Sequence, residues 1–252
     1  MEVKMKMMTM LPIETDGSIT ELFQNGKTGS IIDMGVRPWS HCFSSKDAVF
    51  IVRSGKEIIR VLDDGAEQSL GSFDWGVVAA SKSKLIFENH EGLWLVSMNG
   101  EIFRLPWTLP KRYNYRSWQC GPNGTIITSE MRTISEHLPL GPLGELAEMV
   151  ICENLHDDFV ANPFGIIARF ANEFFSVSPG GEIVQLGKHN WYSWNTVTQG
   201  LVVQNVDREF FLRRYENDEL EFIGRKKCDF WTACPYGIIM VTDNHFEILV
   251  IK

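Results

Sequence analysis

An all-β fold of six four-stranded repeats is predicted here by three observations: an aromatic–glycine marker, a hairpin-turn marker, and the regular spacing at which the two alternate. The first marker is an aromatic residue, five residues, a glycine and an apolar run. It occurs at Trp118/Gly124, Phe159/Gly165, Trp194/Gly200 and Trp231/Gly237, with the glycines 41, 35 and 37 residues apart. Two looser copies precede these, led by Trp39 and Trp75. The second marker is a tight turn before a short strand. It occurs at Asp16-Gly17, Asp64-Gly65, Asn99-Gly100, Leu143-Gly144, Gly180-Gly181 and Asn217-Asp218. Such dipeptides suit two-residue hairpins because both central residues can adopt positive φ.

Each unit is therefore four short strands: A carries the aromatic, B follows the glycine, C leads into the turn and D leaves it. A repeat of this kind fixes architecture before any single residue does. Four-stranded units of about 37 residues, radially repeated, make a six-bladed β-propeller, a ring that leaves only short protected edges.

In order, residues 39–44, 48–52, 57–61 and 67–70 form one blade, and 75–80, 84–87, 93–96 and 101–105 the next. Residues 117–120 and 125–128 open another. Its third strand breaks the pattern, because 131–144 holds Pro139, Gly141 and Pro142, and proline interrupts a sheet ladder. This stretch is expected to be a loop-like insertion projecting from the ring, with a helical turn at 143–148. Residues 158–186 and 192–223 are regular blades. Residues 229–251 supply only strands A to C of the last, so the ring is expected to close with N- and C-terminal strands in one blade. Residues 19–23 are predicted as its D strand, 25–38 as a crossover, and 4–11 as a surplus strand.

The chain of 252 residues is expected to be a single domain, as the repeat leaves no room for a linker. A net charge of −8 argues against a nucleic-acid-binding face. No run of 18 apolar residues suggests a membrane span. The first twelve residues lack the apolar centre of a signal peptide, and five scattered cysteines without a CxxC read as free thiols, so a cytoplasmic location is expected.

Phosphate-cradling glycine loops, a GxSxG elbow and HExxH are all missing. The repeated aromatics could be sugar platforms, but a residue recurring in every blade is more simply blade-to-blade packing. Residues that differ from blade to blade are better site candidates. Those on the B–C and D–A connections are His90, Tyr115, Arg116, His156, Asp158, His189, Asp229 and His245, with Tyr192 opening the strand after one connection. Histidine with carboxylate suits acid–base or metal chemistry, but no spacing ties residues from different blades together, so metal binding stays open.

Over essentially its entire length the pattern resembles six-bladed β-propellers as a fold, without the Trp-Asp signature of WD repeats. The resemblance implies an architecture and a habit of binding on one face, and carries no catalytic residue with it. The expected function is a non-enzymatic scaffold recognising a protein or peptide on the B–C/D–A face, with no cofactor. The alternatives are a carbohydrate or small-polar-ligand binder, and a metal-dependent hydrolase or lyase at the channel mouth.

Overall fold

Two side-chain periodicities build this ring: alternation along each strand, and the recurrence of one aromatic per blade. The computed structural model describes residues 17–80, 84–106, 118–130, 132–139, 146–153, 158–188, 191–217 and 219–252. They form six four-stranded antiparallel sheets, each in the order A-B-C-D, arranged as a six-bladed β-propeller. The A strands are His41–Ser44, Val77–Ala80, Trp118–Cys120, Asp158–Asn162, Ser193–Val197 and Phe230–Cys234, which open blades one to six and neighbour one another around the central channel.

The core is six apolar clusters, one at each blade interface. Successive residues of a B strand serve opposite interfaces, because a strand's side chains alternate. In Gly200–Gln204, Val202 joins blade six while Leu201 and Val203 join blade four. Such strands therefore read as unbroken apolar runs.

The recurrent aromatic reaches back to the second residue of strand C in the preceding blade. Trp194 meets Phe174, Trp231 meets Phe210 and Trp39 meets Phe246, edge to face with ring centres 5.3, 5.3 and 5.8 Å apart. In the other three blades an aliphatic takes the phenylalanine's place: Trp75 packs in the cluster of Ile58, Trp118 in that of Leu93 and Phe159 in that of Ile134. The aromatics are interblade packing and not a ring of open platforms.

Five of the six D strands carry a bulge at one buried aliphatic: Met34, Leu70, Ile151, Leu186 and Ile223. The extra residue turns its side chain into the interface from a strand that otherwise mostly faces solvent. A glycine follows four of these bulges. At Gly71 and Gly187 it takes φ of 110° and 107°, which other residues avoid.

Ring closure follows the expected plan with a different strand. The D strand of blade six is Ile31–Val36, inside the expected crossover, and it pairs antiparallel with His245–Val250. Phe246, Ile248 and Val250 do face blade one, in a cluster with Ile32 and Met34. Arg37 then fastens the closed ring. Its buried guanidinium donates to Glu67 at 2.6 Å and to the Gly65 carbonyl at 2.9 Å, both in blade one, and Arg53 shares the same carboxylate.

Residues 19–23 are not a strand. Ile19–Asn25 is a helix, started by a reciprocal capping box between Ser18 and Glu21. Ile19, Leu22 and Phe23 follow helical spacing and pack over the seam between blades six and one, with Phe23 5.4 Å from Tyr236. Residues 4–11 lie outside the described residues.

The expected insertion at 131–144 is also corrected. Its described part, Thr133–Pro139, is strand C of blade three, and Leu146–Glu153 is strand D where a helical turn was expected. Pro139 occupies the last pair of that ladder, where a missing N–H is tolerated. Glu136 and His137 break the apolar pattern, yet both are buried, on Thr125 and Thr128 respectively at 2.5 and 2.7 Å.

The helix also has a titratable anchor. Asp63 accepts the Thr20 N–H at 2.6 Å. Burial pushes its pKa up, but hydrogen bonds from Thr20 and Ser18 outweigh that and hold it below 3.8. A depressed carboxylate pKa stabilises the folded state above its ordinary value and loses that contribution as pH falls through the folded value. The Thr20 amide resonance is therefore expected to shift on acidification below pH 3.8 in the wild type and to stay put in Asp63→Asn, which keeps a neutral acceptor.

Candidate functional site

Two regions carry unabsorbed polar or apolar groups: the rim built from D–A connections and B–C turns, and the channel at its other end. The rim holds the described residues among those singled out from the sequence. His90 is exposed in the B–C turn of blade two, its Nε2 3.9 Å from Glu91. Asp158 opens strand A of blade four and lies 3.5 Å from the Arg169 guanidinium. Asp229, just before strand A of blade six, accepts the Asp243 N–H at 3.0 Å and so anchors the B–C turn that leads into His245. His245 Nε2 is 2.8 Å from Asp33 on the closing D strand. Asp229 and His245 thus meet at one turn, while His90 and Asp158 stay on their own blades. Tyr115, Arg116, His156 and His189 lie outside the described residues. Among the described residues, no three His, Cys, Asp or Glu side chains converge as a metal site would require.

Tyr192 belongs to a different kind of surface. The residue is 63% exposed, and the Arg208 guanidinium carbon lies 4.9 Å from the ring centre. The Tyr192 N–H donates to the Gln204 carbonyl, which sets the ring beside the turn from Asn205 to Arg208. Val206, in that turn, is 77% exposed. Arg208 was visible in the sequence only as a loop residue, and Val206 gave no signal. An apolar residue at the tip of a polar turn reads as noise until its neighbours are known.

Towards the A–B turns, the described residues line the channel without charge. A cavity of about 170 Å³ reaches from the A strands to Pro163 and Phe164, walled by Ala79, Ala80, Ala161 and Ala233. Its polar lining is Ser44, Gln119, Asn162 and Thr232, with no charged side chain among the described residues that form it. Hydrogen bonds tie the inner strands together here. Gln119 accepts the Ala161 N–H at 2.6 Å, linking blades three and four. Asn162 donates to Asn195 at 2.9 Å and to the Thr196 carbonyl at 3.0 Å, and its oxygen accepts the Phe164 and Gly165 N–H groups. Asn195 in turn donates to Thr232 at 3.5 Å. Ser44 is buried in blade one, and its hydroxyl has no hydrogen-bond partner among the described residues.

The cysteines contribute no chemistry to either region. All five are free and buried. Burial pushes the thiols of Cys120 and Cys234 up to about 12 and raises those of Cys42 and Cys228, so these four are not nucleophiles at neutral pH. No helix among the described residues is long and apolar enough to cross a membrane.

No protein-family model and no curated protein matches the chain. Solved structures do. A gluconolactonase from Xanthomonas campestris is similar at 12% identity and a TM-score of 0.52, over 96% of this chain and 97% of its own. The WD40 β-propeller domain of Doa1 is similar at 11% identity and a TM-score of 0.51, over 86% and 95%. The chain spans only 45% of the dihydro-heme d1 dehydrogenase NirN, at a TM-score of 0.40. At such identities the likeness is to architecture alone, that of the β-propeller, which this chain builds with six blades.

Proposed function

We propose that this propeller binds a protein or peptide partner on the rim formed by its D–A connections and B–C turns, centred on Tyr192, Val206 and Arg208. The observation that carries the reading is the exposure of Tyr192 and Val206 beside an arginine held over the tyrosine ring. Tyrosine and arginine are the residues around which binding energy concentrates in protein interfaces. A single stiff ring, held by its arginine, loses little side-chain freedom when a partner covers it. The metal-dependent hydrolase reading has no comparable support, since the described rim carboxylates and imidazoles pair locally.

The test is capture from native lysate with wild-type, Tyr192→Ala, Val206→Asp and Ser44→Ala proteins at equal loading. A partner retained by wild type and Ser44→Ala, and weakened about thirtyfold or more by either rim change, is expected for a hot spot worth about 2 kcal/mol. Equal melting temperatures of the four proteins exclude misfolding as the cause. Capture indifferent to both rim substitutions would overturn the proposal.

A further inference from the structure

From the channel cavity we infer that the chain has a second binding site, distinct from the rim, for a small uncharged molecule that presents oxygen acceptors and an apolar face. Three observations lead there. First, the volume of about 170 Å³ exceeds the roughly 150 Å³ that holds a benzene-sized guest, so ligands of roughly six to nine non-hydrogen atoms fit. Second, the described lining is uncharged. An ion entering it would lose its hydration with no opposite charge among the described lining residues to replace it, whereas a neutral molecule loses far less.

Third, the lining has hydrogen-bonding capacity left over. The Ser44 hydroxyl has no hydrogen-bond partner among the described residues and its oxygen is enclosed, so it meets a guest through a turn of its side chain toward the cavity, which would satisfy a group that is costly to leave unpaired. Thr232 accepts from Asn195 and keeps its own hydrogen to donate. Gln119 uses its oxygen on the Ala161 N–H, which leaves its amide nitrogen for another partner. Asn162 differs: both its oxygen and its nitrogen are already engaged. The groups with capacity to spare are all able to donate, and they come from blades one, three and six. Carbonyl or hydroxyl oxygens are the complement to such a set. The alanine walls admit a ring or a short aliphatic face where larger side chains would fill the space.

Three probes of one shape and different charge test this: benzamide, benzoate and benzamidinium, each titrated against the full-length protein by ligand-observed NMR, with thermal shift in parallel. Benzamide is expected to bind wild type, and the two ions at least about tenfold more weakly. Ser44→Ala and Thr232→Val are each expected to weaken benzamide about five- to tenfold, the worth of one neutral hydrogen bond. Ser44→Ala should fold with an unchanged or higher melting temperature, because it removes an unsatisfied buried hydroxyl, so lost binding there cannot be lost folding. Tyr192→Ala should bind benzamide as wild type does, which separates this site from the rim. The inference is overturned if benzamide fails to bind, if the ions bind equally well, or if binding is indifferent to both channel substitutions.

Discussion

A chain beginning at Arg37 is expected to lose its cooperative fold and aggregate. The truncation removes the outermost strand of blade six, Ile31–Val36, together with the helix that covers the seam. Buried Ile32 and Met34 go with it, at roughly 2 kcal/mol each. So does the ladder to His245–Val250, at about 1 kcal/mol per hydrogen bond. The loss approaches the whole stability of a typical domain, about 5–15 kcal/mol. It also leaves strand C of blade six as an apolar, unpaired edge, a template for association. A chain beginning at Lys27 is the control. It keeps the closing strand and loses only the helix, whose buried Ile19 and half-buried Leu22 and Phe23 are worth about 3 kcal/mol together. That protein should stay monomeric and melt lower. Size-exclusion chromatography and thermal melts followed by circular dichroism distinguish the two. A chain from Arg37 that melts like wild type would place the closure elsewhere.

Gly237→Ala is expected to be, with its counterpart Gly200→Ala, among the most damaging single-methyl additions at the described glycines. Gly237 sits at φ 140°, and a Cβ there would lie 2.2 Å from the Leu249 carbonyl oxygen. Gly200 is its counterpart in blade five, at φ 156° and 2.1 Å from the Arg213 carbonyl oxygen. Both obstacles are backbone atoms of the paired strand C, so no side chain can swing aside. The expected cost is about 3–5 kcal/mol, in the range of severe core disruptions. For a chain of this size that lowers the melting temperature by about 10 °C or more. Gly55→Ala separates the two causes. It has φ 84° with no other atom within 4 Å of the added Cβ, so only backbone strain remains, at about 1–2 kcal/mol. If Gly237→Ala and Gly55→Ala cost the same, close approach of the strands is not what the glycine serves.

Those glycines also explain why the fold was so legible. The aromatic and the glycine six residues later mark two local events, the start of strand A and the pinch into strand B, and local events leave a fixed spacing in the chain. The same holds for the glycines after the D-strand bulges, which the sequence displayed at Gly71, Gly187 and Gly224 without showing that a buried aliphatic precedes each one. The helix at Ile19–Asn25 was equally readable from Ser18, Glu21 and the spacing of Ile19, Leu22 and Phe23. The competing strand reading of 19–23 comes from the ring's need for a D strand and from the Asp16-Gly17 turn just before it. Ile31–Val36, with a glycine inside it, looked like a connection.

By itself, then, the sequence determined the repeat, the number of blades, the packing role of the aromatics and the sharing of one blade between the two chain ends. These follow from periodicity and from the need to bury apolar faces, both properties of short segments. Tertiary structure alone decided which strand completes the ring, that Glu136 and His137 lie inside a blade, and that Tyr192, Val206 and Arg208 form one surface. It alone brought Ser44, Gln119 and Thr232 to one cavity. The physical reason is distance along the chain: Ser44 and Thr232 line the same space from opposite ends of the sequence, and no spacing rule connects residues that only ring closure makes neighbours.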